Sequence, residues 1–147
     1  LEPDLAIVQY GINDLRAIGV YPERAQELTE ACREQLFEIV DRLLARRIRV
    51  LVLTVFPTRN PSIRSLPTWS SQIEPSIRAV NRALLERLPR PGLTVVDSDA
   101  LLSTGKTPWL RDELAADDVH LNQRGYEALN RALAPQITAA LAERGAR

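Results

Sequence analysis

Residues 48–56 read IRVLVLTVF, β-branched and aliphatic almost without a break. A strand with one face in water alternates apolar and polar residues. A strand apolar on both faces belongs in the middle of a parallel sheet with helices packed above and below it. This one stretch therefore asks for parallel neighbours, for crossover connections and for two helical layers.

The neighbours lie on either side in the chain. Residues 5–10, LAIVQY, and 93–97, LTVVD, are short apolar runs rich in β-branched residues and are expected to be strands. Between the first two strands, Leu28, Cys32, Leu36, Ile39, Val40, Leu43 and Leu44 recur at spacings of three and four, which predicts one helix over 23–46. Pro22 suits its first turn. Glu23, Glu27, Glu30 and Glu34 come early and Arg42, Arg46 and Arg47 late, the order that favours the helix dipole. A second helix is expected over 71–88, with Ile77, Val80, Leu84, Leu85 and Leu88 on one side. After a long irregular stretch, 98–119, a last helix begins near Asn122, a good N-cap residue, and Pro135 within it is expected to kink it. The order β-α-β-α-β-α predicts an α/β fold, a three-layer α/β/α arrangement around a parallel sheet, in one domain spanning 1–147.

Composition narrows the function. The 147 residues are 45% hydrophobic and 26% charged, ordinary for a globular domain, and the net charge is zero. No block of clustered Lys and Arg is present to neutralise phosphates, so nucleic acid is not an expected partner. No apolar run approaches the roughly 20 residues that cross a bilayer, and no signal peptide opens the chain. The single cysteine, Cys32, falls on a helical apolar stripe and reads as a small buried hydrophobe. One histidine and no cysteine cluster argue against a zinc site. The chain has no methionine, so Leu1 is not a translation start.

Ligands of open parallel sheets bind beyond the carboxyl ends of the strands. The first strand ends there in Gly-Ile-Asn-Asp, residues 11–14. Gly11 permits a tight turn and close approach. The Asn13 amide offers two N–H donors that could hold an oxyanion, or it could simply close an Asx-turn. Asp14 is expected to brace the loop by accepting backbone N–H groups. The only histidine, His120, lies in DDVH ahead of the last helix, three residues after Asp117. A carboxylate within reach of Nδ1 fixes the imidazole tautomer and leaves Nε2 as a general base. Asp117 is the expected partner and Asp118 the alternative. The bland reading of both acids is charge complementing the dipole of the last helix.

With both blocks in hand, the chain resembles the SGNH (GDSL-type) hydrolases. GIND is similar to that family's Gly-x-Asn-Asp block, and DDVHLNQRGYEAL to its Asp-x-x-His block, which opens the C-terminal helix. The resemblance implies a flavodoxin-like three-layer fold and ester hydrolysis, with Asn13 as oxyanion donor, His120 as base and Asp117 as its orienting acid. It implies no metal or organic cofactor. The expected partner is a small-molecule ester, acyl or acetylated sugar.

The family's nucleophile, a serine in a Gly-Asp-Ser block, and the glycine of a second block precede GIND in the family. Neither occurs here. The nearest pattern is VVDSD, where Ser98 follows Asp97 but lacks the glycine, and capping is its expected role. The chain therefore reads as the C-terminal two-thirds of a longer serine hydrolase whose nucleophile lies in an upstream segment. Two alternatives stand beside it. One is a non-catalytic binding or scaffold domain that keeps the fold without the nucleophile. The other is a doubly wound receiver- or flavodoxin-type domain with Asp14 and Asp97 as rim acids. Trp69 and Trp109, on the two long loops, are candidates to line a substrate pocket or simply to pack.

Overall fold

The computed structural model describes residues 3–142 apart from 64 and 106. Three strands form one parallel sheet in the order of the chain: β1 (Leu5–Val8), β2 (Arg49–Leu53) and β3 (Leu93–Val96). Val8 pairs with Val52, and Val52 with Val95. Each strand is shorter than the apolar run that predicted it. The last apolar residues of each run continue past the ladder to form the carboxyl-end rim.

The reading of β2 as a central strand holds, and its two faces enter different cores. Val50 and Val52 pack with Cys32, Leu36 and Val40 of α2 (Ala25–Ala45) and with Ile77, Val80 and Leu84 of α3 (Ile73–Leu85). Leu51 and Leu53 pack with Leu129 and Leu133 of α5 (Gln123–Ala142) and with Leu102 of α4 (Ser98–Leu102). The result is a three-layer α/β/α sandwich. Both crossover helices, α2 and α3, lie on one face, tied by a 2.8 Å hydrogen bond between the Thr29 and Ser76 hydroxyls. On the other face the Arg49 guanidinium donates to the Ala140 carbonyl near the end of α5, where the helix dipole favours a cation.

Two predicted loops hold short helices. The segment after β1 contains α1 (Ile12–Arg16) and a 3-10 turn, Ala17–Gly19. The stretch 98–119 contains α4 and another 3-10 turn, Asp112–Leu114. One or two turns are too short for an apolar period to declare itself. Asn122 does cap α5, its Oδ1 accepting from the Gly125 N–H at 3.0 Å, and Pro135 lies inside that helix.

Candidate active site

The rim is built from three loops. The first follows β1. Gly11 has φ 110°, a left-handed backbone that L side chains rarely adopt, and a Cβ there would meet Cys32 Sγ at 2.9 Å and Val55 Cγ2 at 3.1 Å. Glycine serves both the turn and the close packing. It opens α1, whose Leu15 is fully buried while Asn13, two residues earlier and on the opposite side of the turn, faces solvent. The Asn13 amide makes no hydrogen bond among the described residues, so its donors remain available.

Asp14 departs from expectation. No backbone N–H among the described residues donates to its carboxylate. Its charge instead bears on the Tyr10 hydroxyl, whose pKa is raised by burial and then by Asp14, and which donates to Gln35 Oε1 on α2 at 2.5 Å. The brace thus runs through Tyr10 to the helix. Beside it, burial and the same carboxylate push the Cys32 thiol up to about 12. Cys32 is a packed hydrophobe and no nucleophile.

The second loop carries the acid and the imidazole. An isolated bridge between Ala115 and Leu121 and a 2.8 Å bond from Ala116 N to the His120 carbonyl close residues 116–120 into a tight hairpin. Inside it Asp117 Oδ1 accepts from the backbone N–H of Val119 and of His120, each at 2.9 Å, and His120 Nδ1 lies 2.8 Å from Oδ2. The Val119 N–H and then the imidazole hold the Asp117 carboxyl down to about 2. An ionised carboxylate only accepts, so the proton sits on Nδ1 and the lone pair on Nε2. Asp118, the alternative partner, makes no hydrogen bond to the imidazole among the described residues; its backbone carbonyl accepts from Arg59 N at 2.8 Å. The hairpin is open to water, with the His120 side chain 66% exposed.

The third loop leaves β2. Residue Val55 is past the ladder, and its N–H and carbonyl would be orphans in the core. Asn81 on α3 takes both, accepting from Val55 N at 2.7 Å and donating to Val55 O at 2.9 Å. Its signal in the sequence is a polar residue on the buried stripe between Ile77 and Leu84.

The structure thus joins Asp117 to His120 directly. It puts Gly11, Asn13 and Asp14 on the same carboxyl-end rim, on a separate loop, with no hydrogen bond to the pair. Ser98 is fully buried, its hydroxyl donating to the Thr54 carbonyl at 2.6 Å, which removes it as a nucleophile. Among the described residues no group of three His, Cys, Asp or Glu side chains is placed to hold a metal ion, and no helix is long and apolar enough to cross a membrane.

A family model described as the GDSL-like lipase/acylhydrolase family matches residues 1–128. The chain belongs to that family. Solved structures agree on the fold of this GDSL-like chain. A GDSL-like lipase from Bacteroides thetaiotaomicron superposes with a TM-score of 0.72 at 17% identity, covering 94% of this chain and 63% of its own. A protein provisionally assigned as an acylhydrolase, from Bacteroides fragilis, gives 0.70 at 20% identity, with 96% and 64% covered. The GDSL-like chain therefore spans about three-fifths of the length of these relatives. No curated protein matches the sequence.

Proposed function

We propose that this chain supplies the base, its orienting acid and one oxyanion donor of an ester hydrolase, with the attacking serine contributed by residues outside these 147. The observation that carries the reading is the Asp117–His120 pair: an ionised carboxylate on Nδ1 and a free Nε2 at the rim. Family membership supports acyl hydrolysis in general. The triad, the oxyanion role and the serine's origin are this proposal's own.

In the reaction, the serine oxygen bonds to the ester carbonyl carbon while its proton passes to His120 Nε2. The carbonyl electron pair moves onto oxygen, and the Asn13 N–H groups stabilise that charge. Collapse breaks the bond to the leaving alcohol, which takes the proton from His120. Water then repeats the sequence on the acyl-enzyme and frees the acid and the serine. Throughout, Asp117 stabilises the imidazolium without taking its proton.

Fluorophosphonate labelling of the protein together with its upstream sequence tests the reading. The expected result is one modified serine outside residues 1–147, with labelling lost in His120→Ala. A folded protein that takes no label supports instead the non-catalytic scaffold. Equal labelling of His120→Ala removes the imidazole from the mechanism.

A further inference from the structure

The two long rim loops meet through their tryptophans. The ring centroids of Trp69 and Trp109 are 6.0 Å apart and the planes are tilted by 54°, a favourable aromatic contact. Both side chains are half-buried, and Trp69 rests on the core cluster beneath α2 and α3.

Each ring's segment is tied to one of the site's loops. On one side, Leu110 N, next to Trp109, bonds the Thr58 carbonyl at 2.8 Å, and Arg59 N bonds the Asp118 carbonyl at 2.8 Å. Two main-chain hydrogen bonds thus link Trp109 to the hairpin of Asp117 and His120. On the other side, a Cβ on Gly19 would fall 1.9 Å from the Thr68 carbonyl, so the turn after α1 lies directly against the segment of Trp69. Gln72 Nε2 adds a 3.0 Å bond to the Pro22 carbonyl. The segments that carry the two rings are therefore tied to the hairpin of His120 and to the turn that follows α1.

The same segments carry exposed hydrocarbon. Val20 and Leu66, beside the Gly19–Thr68 junction, are 58% and 55% exposed, and Ile63 farther along the loop is 88% exposed. Apolar groups gathered at a site rim mark a binding surface. The charged neighbours Arg59 and Asp112 bond each other at 2.6 Å. We propose that Trp69 and Trp109 form the acyl-chain subsite of this ester hydrolase and select linear acyl chains over acetyl groups and sugars. The proposal deepens the esterase reading and rests on it for the position of the scissile bond.

Because the pair contains both tryptophans of the sequence, intrinsic fluorescence reports on it directly. Sodium octanoate, kept below its micelle threshold, is titrated into the protein, with acetate and cellobiose as comparisons. A saturable emission change with octanoate alone is expected, reduced in Trp69→Phe and Trp109→Phe. In parallel, in the protein together with its upstream sequence, Trp109→Ala is expected to lower kcat/KM for a p-nitrophenyl octanoate by about tenfold and to change that for the acetate by less than about threefold, the scale of a few methylenes in an apolar pocket. Octanoate binding without ester cleavage keeps the subsite and defeats the esterase reading. No response to octanoate, a response to cellobiose instead, or equal loss on both esters overturns the subsite.

Discussion

In the proposed reaction His120 depends on Asp117. The carboxyl stands at about 2, below the ordinary value near 3.9, so the fold favours its ionised form. The sign follows: whatever stability the ion contributes is present above about pH 4 and is lost as pH falls through about 2. Between pH 4 and 8 Asp117 does not titrate, so a change of activity in that window does not come from its carboxyl. Asp117→Asn is the informative substitution. The Asn Oδ1 can still accept from the Val119 and His120 N–H groups and keep the hairpin. Its amide would donate to Nδ1, leaving the proton on Nε2, the wrong tautomer for a base. We expect kcat for p-nitrophenyl acetate to fall on the order of 10³- to 10⁴-fold with an unchanged circular dichroism spectrum. A loss below tenfold would show that Asp117 only braces the loop. This much was legible in the sequence, because glycine and short polar residues interrupting apolar runs can be seen without coordinates. The role of Asp14 was not: its neighbour Tyr10 is engaged by Gln35, far along the chain, and one-dimensional spacing does not register that contact.

At the scale of elements, the strands, the three long helices and the caps follow from period and punctuation. What escaped is what holds one element to the next. Arg59 and Asp118 meet through backbone atoms, which leave no signature in side-chain identity. Asn81 acts as a surrogate strand where the ladder ends, and Val55, the residue it holds, also packs on Gly11 at the start of GIND. The clamp therefore positions the Asn13 loop. Asn81→Ala would leave a buried N–H and a buried carbonyl unpaired, at about 1–3 kcal/mol each. We expect a destabilisation of about 2–4 kcal/mol in urea unfolding, and in the folded fraction a lower kcat with little change in KM. A midpoint that does not move would mean that water replaces the amide and that the clamp is dispensable.

For the whole molecule, the two faces of the sheet are covered unequally. Ile7 pairs with Leu51, and Leu51 belongs to the core beneath α5. That helix packs over β2 and β3, so Ile7, one strand farther out, stays 49% exposed on an edge strand. An exposed apolar residue beside unpaired backbone groups is a template for another strand. Produced as these 147 residues, the chain is expected to self-associate through β1, with a weight-average mass that rises with concentration in sedimentation equilibrium. Ile7→Lys places a charge on that edge and should restore the monomer without lowering the thermal midpoint, because the side chain gives up only partial burial. If the unsubstituted chain stays monomeric at every concentration, the edge is already protected by its own twist or short length. Association that survives Ile7→Lys points away from β1, toward the apolar loop that carries Ile63 and Leu66.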